Sequence, residues 1–193
     1  MTKQQLRRLY REKRNAISAS EKMKMDDLML LQFQQLDFMG VESVLSYWPL
    51  GTNAEPNTHL FTQYLEFLIP ELKLSYPKTN FIDNSMVAVL INDNTSFITN
   101  EKGLTEPEAG QEISLQNIDL VLVPMFICDE NGYRVGFGKG FYDRFLQYFK
   151  NDVVTIGFSY FDPVDTIEDI NQFDIPLDLC ITPHKIFTFS AND

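Results

Sequence analysis

The sequence has little cysteine, little histidine and no long apolar run. Its two cysteines, Cys128 and Cys180, lie far apart without CxxC spacing. That spacing excludes a thiolate zinc knuckle and reads as two free, buried thiols in a reducing compartment. His59 and His184 have no neighbouring metal-ligand or nucleophile pattern, so they are expected only at surfaces or caps. No apolar run approaches the roughly 20 residues that a bilayer span needs. The basic first residues are not followed by the apolar stretch of a secretory leader, and the expectation is a cytoplasmic chain with no membrane partner. Cations are also short, 16 Lys and Arg against 27 Asp and Glu for a net charge of -11. This excludes general nucleic-acid binding, which depends on neutralising phosphates.

What is present is an ordinary globular composition, 44% hydrophobic and 22% charged over 193 residues. That is enough for one domain, residues 1–193, with a sizeable core. The few cations are concentrated: residues 1–24 hold Lys3, Arg7, Arg8, Arg11, Lys13, Arg14, Lys22 and Lys24 against Glu12 and Glu21. Such a cluster suits a small anionic ligand or a solvated helix.

The apolar spacing of Leu6, Leu9, Tyr10 and Ile17 predicts an amphipathic helix over 3–17, with Lys3, Arg7, Arg11 and Arg14 on one face. Ser18 to Glu21 has the capping-box pattern and should open a second helix reaching about Phe38, where Met39 and Gly40 end it. A strand is expected over 41–48, a loop over 50–57, a helix over 58–67, and a strand over 72–76 stopped by Pro77. A further strand covers 86–91, and 92–110 reads as turn and loop. The continuous apolar run 118–123, closed by Pro124, suits a buried parallel strand. A helix over 142–149, strands over 153–158 and 179–182, and an edge over 187–189 complete the reading. Alternating strands and helices give a three-layer α/β/α, Rossmann-like domain around a mixed, mostly parallel sheet, with ligands beyond the strand ends.

The densest local signal is residues 132–144, GYRVGFGKGFYDR. Glycines at alternate positions let backbone N–H groups approach a ligand and permit positive φ. Consecutive amides of this kind form an anion nest, and a helix beginning just after adds its positive end. Arg134 and Lys139 can supply full charges, so a phosphate is the natural guest. The stretch is not a Walker loop, since Gly138-Lys139 is followed by Gly140 rather than Ser or Thr. It is not a dinucleotide fingerprint either, because the sixth place counted from Gly136 is Phe141.

In its order of residues, from Pro124 through Asp129, Gly132, Arg134, Gly136, Gly138, Gly140, Tyr142 and Asp143 to Arg144, the stretch resembles the signature of the 5-formyltetrahydrofolate cyclo-ligases, also called methenyltetrahydrofolate synthetases. Val135 stands where that pattern has Leu, and Phe141 where it has the first Tyr. Lys3-x-x-Leu6-Arg7 with Ala16-Ile17-Ser18, Glu55-Pro56-Asn57-Thr58, Glu106-Pro107, and Phe173-Asp174-Ile175-Pro176-Leu177-Asp178 resemble further elements of the family in the same order. Phe173 replaces the family's His before Asp174.

The resemblance implies the family's fold, shared with sugar-phosphate isomerases and CoA transferases. It also implies an ATP- and Mg²⁺-dependent closure of 5-formyltetrahydrofolate to 5,10-methenyltetrahydrofolate, by a monomer or weak homodimer acting on small molecules. It implies ATP contacts from Lys3, Arg7, Arg134, Gly136, Phe137, Gly138, Lys139, Gly140, Phe141 and Tyr142. Lys139 and Arg134 would stabilise the transferring phosphoryl. Glu55, Tyr142 and Trp48 would meet the folate, and Asp143 and Asp174 the magnesium. A regulatory module that binds nucleotide or folate without turnover is the reading from another class, and an isomerase on the same fold is a third. Retention of Lys3, Arg7, Arg134, Lys139 and Asp143 favours the enzyme.

Overall fold

The computed structural model describes residues 1–150 and 152–189. The first helix, α1 (Lys3–Asn15), opens with a capping box in which Thr2 Oγ1 accepts from Gln5 N and Gln5 Oε1 accepts from Thr2 N. The second, α2 (Ala19–Phe33), starts on Ser18, whose hydroxyl accepts from Glu21 N. It ends at Phe33, earlier than the hydrophobic pattern suggests. The chain tightens through Gln35 N→Gln32 O and Leu36 N→Phe33 O bonds and folds Phe38 back until its ring lies 4.8 Å from that of Phe33.

The remaining elements in chain order are β1 (Ser43–Leu45), α3 (Thr58–Leu68), β2 (Lys73–Asn80), β3 (Ser85–Leu90), β4 (Phe97–Thr99), β5 (Thr105–Pro107) and β6 (Gln111–Ile113). After these come β7 (Leu120–Val123), β8 (Ile127–Cys128), β9 (Arg134–Val135), α4 (Phe141–Leu146), β10 (Val154–Phe158), β11 (Leu179–Ile181) and β12 (Ile186–Thr188). Eight strands form one sheet in the order β12-β11-β10-β7-β1-β2-β3-β6. The five strands from β11 to β2 run parallel, and β12 and β3 pair antiparallel at either flank.

Two departures from the sequence reading have plain causes. Strand β2 does not stop at Pro77 but continues to Asn80, with Pro77 opposite Ala88. Leu74 O accepts from Ile91 N, just past β3, while Ser75 O accepts from Ser46 N on the other side. Pro77 belongs to the same set as Ser75, so its missing N–H faces away from β3, past the end of β1, where no ladder bond is lost. The stretch 92–110 is also not all loop. It holds the β4–β5 hairpin, fastened to β2 where Thr79 N donates to Glu106 Oε1 at 3.0 Å and Asn100 Nδ2 to Oε2 at 3.1 Å.

Strand residues alternate between two cores, as period-two side chains in a doubly covered sheet must. Val44, Leu120, Leu122, Ile156 and Phe158 face α2 and α3, where the Phe61 and Phe158 rings stack at 3.9 Å. Leu45, Val121, Val123 and Cys180 face α4 and the segments carrying Met125 and Leu177. A third cluster seats α1, through Leu6 and Tyr10, on Phe126, Ile127 and Val135 of the β8–β9 hairpin. The result is the expected three-layer α/β arrangement, with its second face covered by the short helix α4 and by loop segments among the described residues. Because α1 docks on the hairpin that leads into the glycine stretch, the basic helix and the glycines meet beyond the C-terminal end of β7.

Candidate active site

The β8–β9 hairpin turns through residues 129–133. Asp129 is fully buried and organises the turn, its Oδ1 accepting from Asn131 N and Tyr133 N and its Oδ2 from Ile167 N. Gly132 sits at φ +84, and a Cβ there would come within 2.7 Å of Leu177 O, so the turn has room for glycine only. The hairpin delivers Arg134 on β9 and then releases the chain into the glycine loop.

The charged residues singled out in the sequence converge here from three parts of the chain. Arg7 Nε donates to Gly136 O at 2.7 Å, and its guanidinium lies across Gly138, which has φ +84. Lys3 Nζ is 2.5 Å from Asp174 Oδ2, while Lys3 N donates to Asp169 Oδ1 at 2.6 Å. Arg134 is almost wholly buried. Its Nη2 donates to Asp143 Oδ1 at 2.7 Å and its Nη1 to Ile175 O. Burial lowers the Arg134 pKa, and the Asp143 and Asp174 carboxylates oppose the shift. Arg134 therefore braces α4 against the 174–175 segment with both Nη atoms committed. Lys139 is exposed, and among the described residues its ammonium makes no ion pair. It is the loop's free cation.

Aromatic rings flank the loop. Phe137 lies edge-on to Phe126 at 5.2 Å, and Phe141 meets Phe81, from the β2–β3 turn, at 5.6 Å. Tyr142 packs into the α4 core, and its hydroxyl is buried without a hydrogen-bond partner among the described residues. Burial, and then the Glu55 carboxylate, push its phenol far above the ordinary range, so it stays a neutral donor.

Glu55 is buried, 3% exposed. Its Oε2 accepts from Leu50 N at 2.7 Å, and its Oε1 has no partner among the described residues. Burial raises its pKa to about 7, against the Leu50 bond and the charges of Arg14 and Lys22. Trp48 joins a different group: its ring is 4.6 Å from His59 and 4.8 Å from Phe97. His59 is half-buried beneath it, and burial lowers the imidazole pKa, so the ring is neutral at pH 7.

Arg14 is the residue whose placement the sequence pattern did not reveal. Its spacing from Arg7 puts both on one cationic face of α1, suited to an anionic ligand or to solvent, yet Arg14 is fully buried. Its guanidinium donates to the carbonyls of Met125 and Phe126 and lies over the Phe126 ring.

Among the described residues, no three His, Cys, Asp or Glu side chains gather as a metal cluster. A magnesium ion shared with phosphates needs only one or two carboxylates, and the residues present fit that case. Asp143 and Asp174 both act on Arg134, and each uses one oxygen toward protein donors, which leaves the other oxygen of each carboxylate.

Known proteins resemble this chain along nearly its whole length. A sequence profile of the 5-formyltetrahydrofolate cyclo-ligase family matches residues 1–183. The chain is 28% identical over 186 residues to a 5-formyltetrahydrofolate cyclo-ligase of Mycoplasma pneumoniae, covering 94% of this chain and 98% of that one. Among solved structures it is similar to the Aquifex aeolicus 5,10-methenyltetrahydrofolate synthetase, with TM-score 0.82 and 26% identity over 100% of this chain and 95% of that one. A 5,10-methenyltetrahydrofolate synthetase from Mycoplasma pneumoniae shares the fold with TM-score 0.74 at 24% identity, over 95% and 100% of the two chains.

Proposed function

The chain belongs to the 5-formyltetrahydrofolate cyclo-ligase family, and we propose that it closes 5-formyltetrahydrofolate to 5,10-methenyltetrahydrofolate at the expense of ATP, with Mg²⁺. The observation that carries this reading is the meeting of Lys3, Arg7, Arg134, Asp143 and Asp174 around the bare backbone of residues 136–140.

The chemical difficulty lies in the N5-formyl group, an amide-like carbonyl whose oxygen is a poor leaving group. Transfer of the γ-phosphoryl to that oxygen, with ADP departing, makes it a good one. N10 then attacks the formyl carbon, the C–O bond breaks to release phosphate, and the N10 proton passes to solvent. The protein's share is to align the acceptor oxygen with the γ-phosphorus and to offset charge as it moves. The amides of 136–140 cradle phosphate oxygens. Lys139 reaches the transferring group, and Arg7 and Lys3 close on the triphosphate from α1. Asp143 and Asp174 would hold magnesium, which supplies charge neutralisation on the phosphates. Arg134 acts by holding Asp143 at the loop. Glu55 and Tyr142 face the pterin, and Trp48 borders the folate.

The test is near-ultraviolet absorbance of the protein mixed with 5-formyltetrahydrofolate and MgATP. Growth of the methenyl band only when ATP and Mg²⁺ are both present is the expected result. No band, with nucleotide binding intact, would assign the glycine loop to another acceptor.

A further inference from the structure

Four buried side-chain atoms have no hydrogen-bond partner among the described residues: Arg14 Nε, Arg14 Nη1, Glu55 Oε1 and Tyr142 Oη. Unpaired polar atoms in a protein interior are costly and few. These four are not scattered. The Glu55 carboxylate acts on both Arg14 and Tyr142, yet Arg14 and Glu55 form no ion pair. The backbone shows why they are neighbours. Helix α1 meets the turn Gly51–Asn53, the turn closed when Leu50 N donates to Glu55. The last turn of α1 places Arg14 on the carbonyls of Met125 and Phe126, two and three residues past the end of β7.

An interior that sets two guanidinium N–H donors and one phenol each within electrostatic reach of the same carboxylate acceptor lacks a partner that both accepts and donates. A flat heterocycle edge with a carbonyl and an amino group on the two ring carbons that flank a ring N–H has that chemistry. We propose that Arg14 is a specificity-determining residue of the pterin pocket, its free N–H groups donating to the 4-oxo oxygen while Glu55 Oε1 accepts from the 2-amino group. The assignment rests on the folate reading above. Arg14 cannot be deprotonated at working pH, so it can only donate. A ring with an amino group at position 4 sets donor against donor and leaves the guanidinium unsatisfied. The Met125 and Phe126 carbonyls hold the guanidinium in place, so it cannot swing away to accommodate the wrong ring.

The test compares two ligands by calorimetry without ATP: 5-formyltetrahydrofolate and its 4-amino-4-deoxy counterpart, which keeps the 2-amino group. The protein should prefer the 4-oxo compound by about a hundredfold, the scale of a buried charge-assisted hydrogen bond lost and a donor left unpaired. Arg14→Met keeps the length and removes the donors, and the preference should fall to within about threefold through weaker 4-oxo binding. Arg14→Lys, which keeps the buried charge, serves if the Met variant does not fold; a single ammonium should retain only part of the preference. An Arg14 serving only as a structural strut would shift the melting temperature and weaken both ligands equally, and an unchanged ratio in a folded variant overturns the proposal. A wild-type ratio near one overturns it as well, with the folate reading intact. Failure of the wild-type protein to bind 5-formyltetrahydrofolate at all would remove the folate reading and this inference together.

Discussion

Lys3 Nζ lies 2.5 Å from Asp174 Oδ2, an ion pair between side chains 171 positions apart. It closes α1 over the segment leading to β11. Both side chains are mostly buried, at 17% and 14% exposure, so the pair is shielded from salt more than an exposed one. In the proposed reaction both groups have other work, Lys3 toward phosphate and Asp174 toward magnesium. The bridge therefore holds the two in register until nucleotide arrives.

Lys3→Ala is expected to raise the KM for ATP about tenfold or more while leaving the 5-formyltetrahydrofolate affinity within about twofold. Asp174→Asn should raise the Mg²⁺ requirement. In chemical denaturation of the two single variants and the double variant, a coupling of about 1–2 kcal/mol is expected for a partly buried pair in direct contact. Coupling near zero would mean that the contact is incidental to stability.

Lys139→Ala separates chemistry from folding. Its ammonium is solvent-exposed and makes no ion pair among the described residues, so removing it should move stability by less than about 0.5 kcal/mol. Turnover should fall about a hundredfold or more, the usual loss when a charge aimed at the transition state is removed. Wild-type turnover in that variant would sink the phosphoryl-stabilising role.

Gly138→Ala tests the fit between α1 and the loop. The backbone is at φ +84, and a Cβ would stand 3.0 Å from Arg7 Cζ. The left-handed conformation alone costs an alanine roughly 1–2 kcal/mol, and the Arg7 side chain must shift as well. A drop of a few degrees in melting temperature, with a raised KM for ATP, is expected. If the KM is unchanged, Arg7 does not touch the nucleotide.

Much of this site was legible before any geometry, and the legible part has a common cause. Gly136, Gly138, Gly140, Arg134 and Asp143 lie within one short stretch, so their spacing alone keeps the end of β9, the loop and the start of α4 together. The parallel core strands were legible because β7 is apolar on both faces, as a strand covered on both sides must be. What was hidden depends on distant contacts. Phe33 and Phe38 fold a predicted helix back on itself. The end of β1 lets Pro77 sit inside a ladder. Arg14 reads as one more cation on a basic helix until the carbonyls at 125 and 126, more than a hundred residues later, take up its guanidinium. Periodicity assigns a face to a helix, but it cannot say which part of that face the rest of the chain will cover.

Glu55 gives the chain a pH signature with a definite sign. Its carboxyl is pushed up to about 7 in the folded protein from an ordinary value of 4.5, by burial that outweighs the Leu50 bond and the Arg14 and Lys22 charges. A carboxyl with a raised folded pKa binds its proton more tightly in the folded state. Its contribution to stability is therefore complete below about pH 4.5 and is lost as pH climbs toward 7. Across that window the loss is on the order of 3 kcal/mol. Glu55→Gln, which does not titrate, should flatten this part of the stability profile relative to wild type. Binding runs the opposite way, because the ionised carboxylate is the better acceptor for the pterin's amino N–H. Between pH 6 and pH 8, affinity for 5-formyltetrahydrofolate should tighten several-fold in the wild type and stay level in Glu55→Gln. Denaturation and calorimetric titration at matched pH check both slopes. If wild type and Glu55→Gln run parallel in both, Glu55 neither titrates in this window nor meets the pterin.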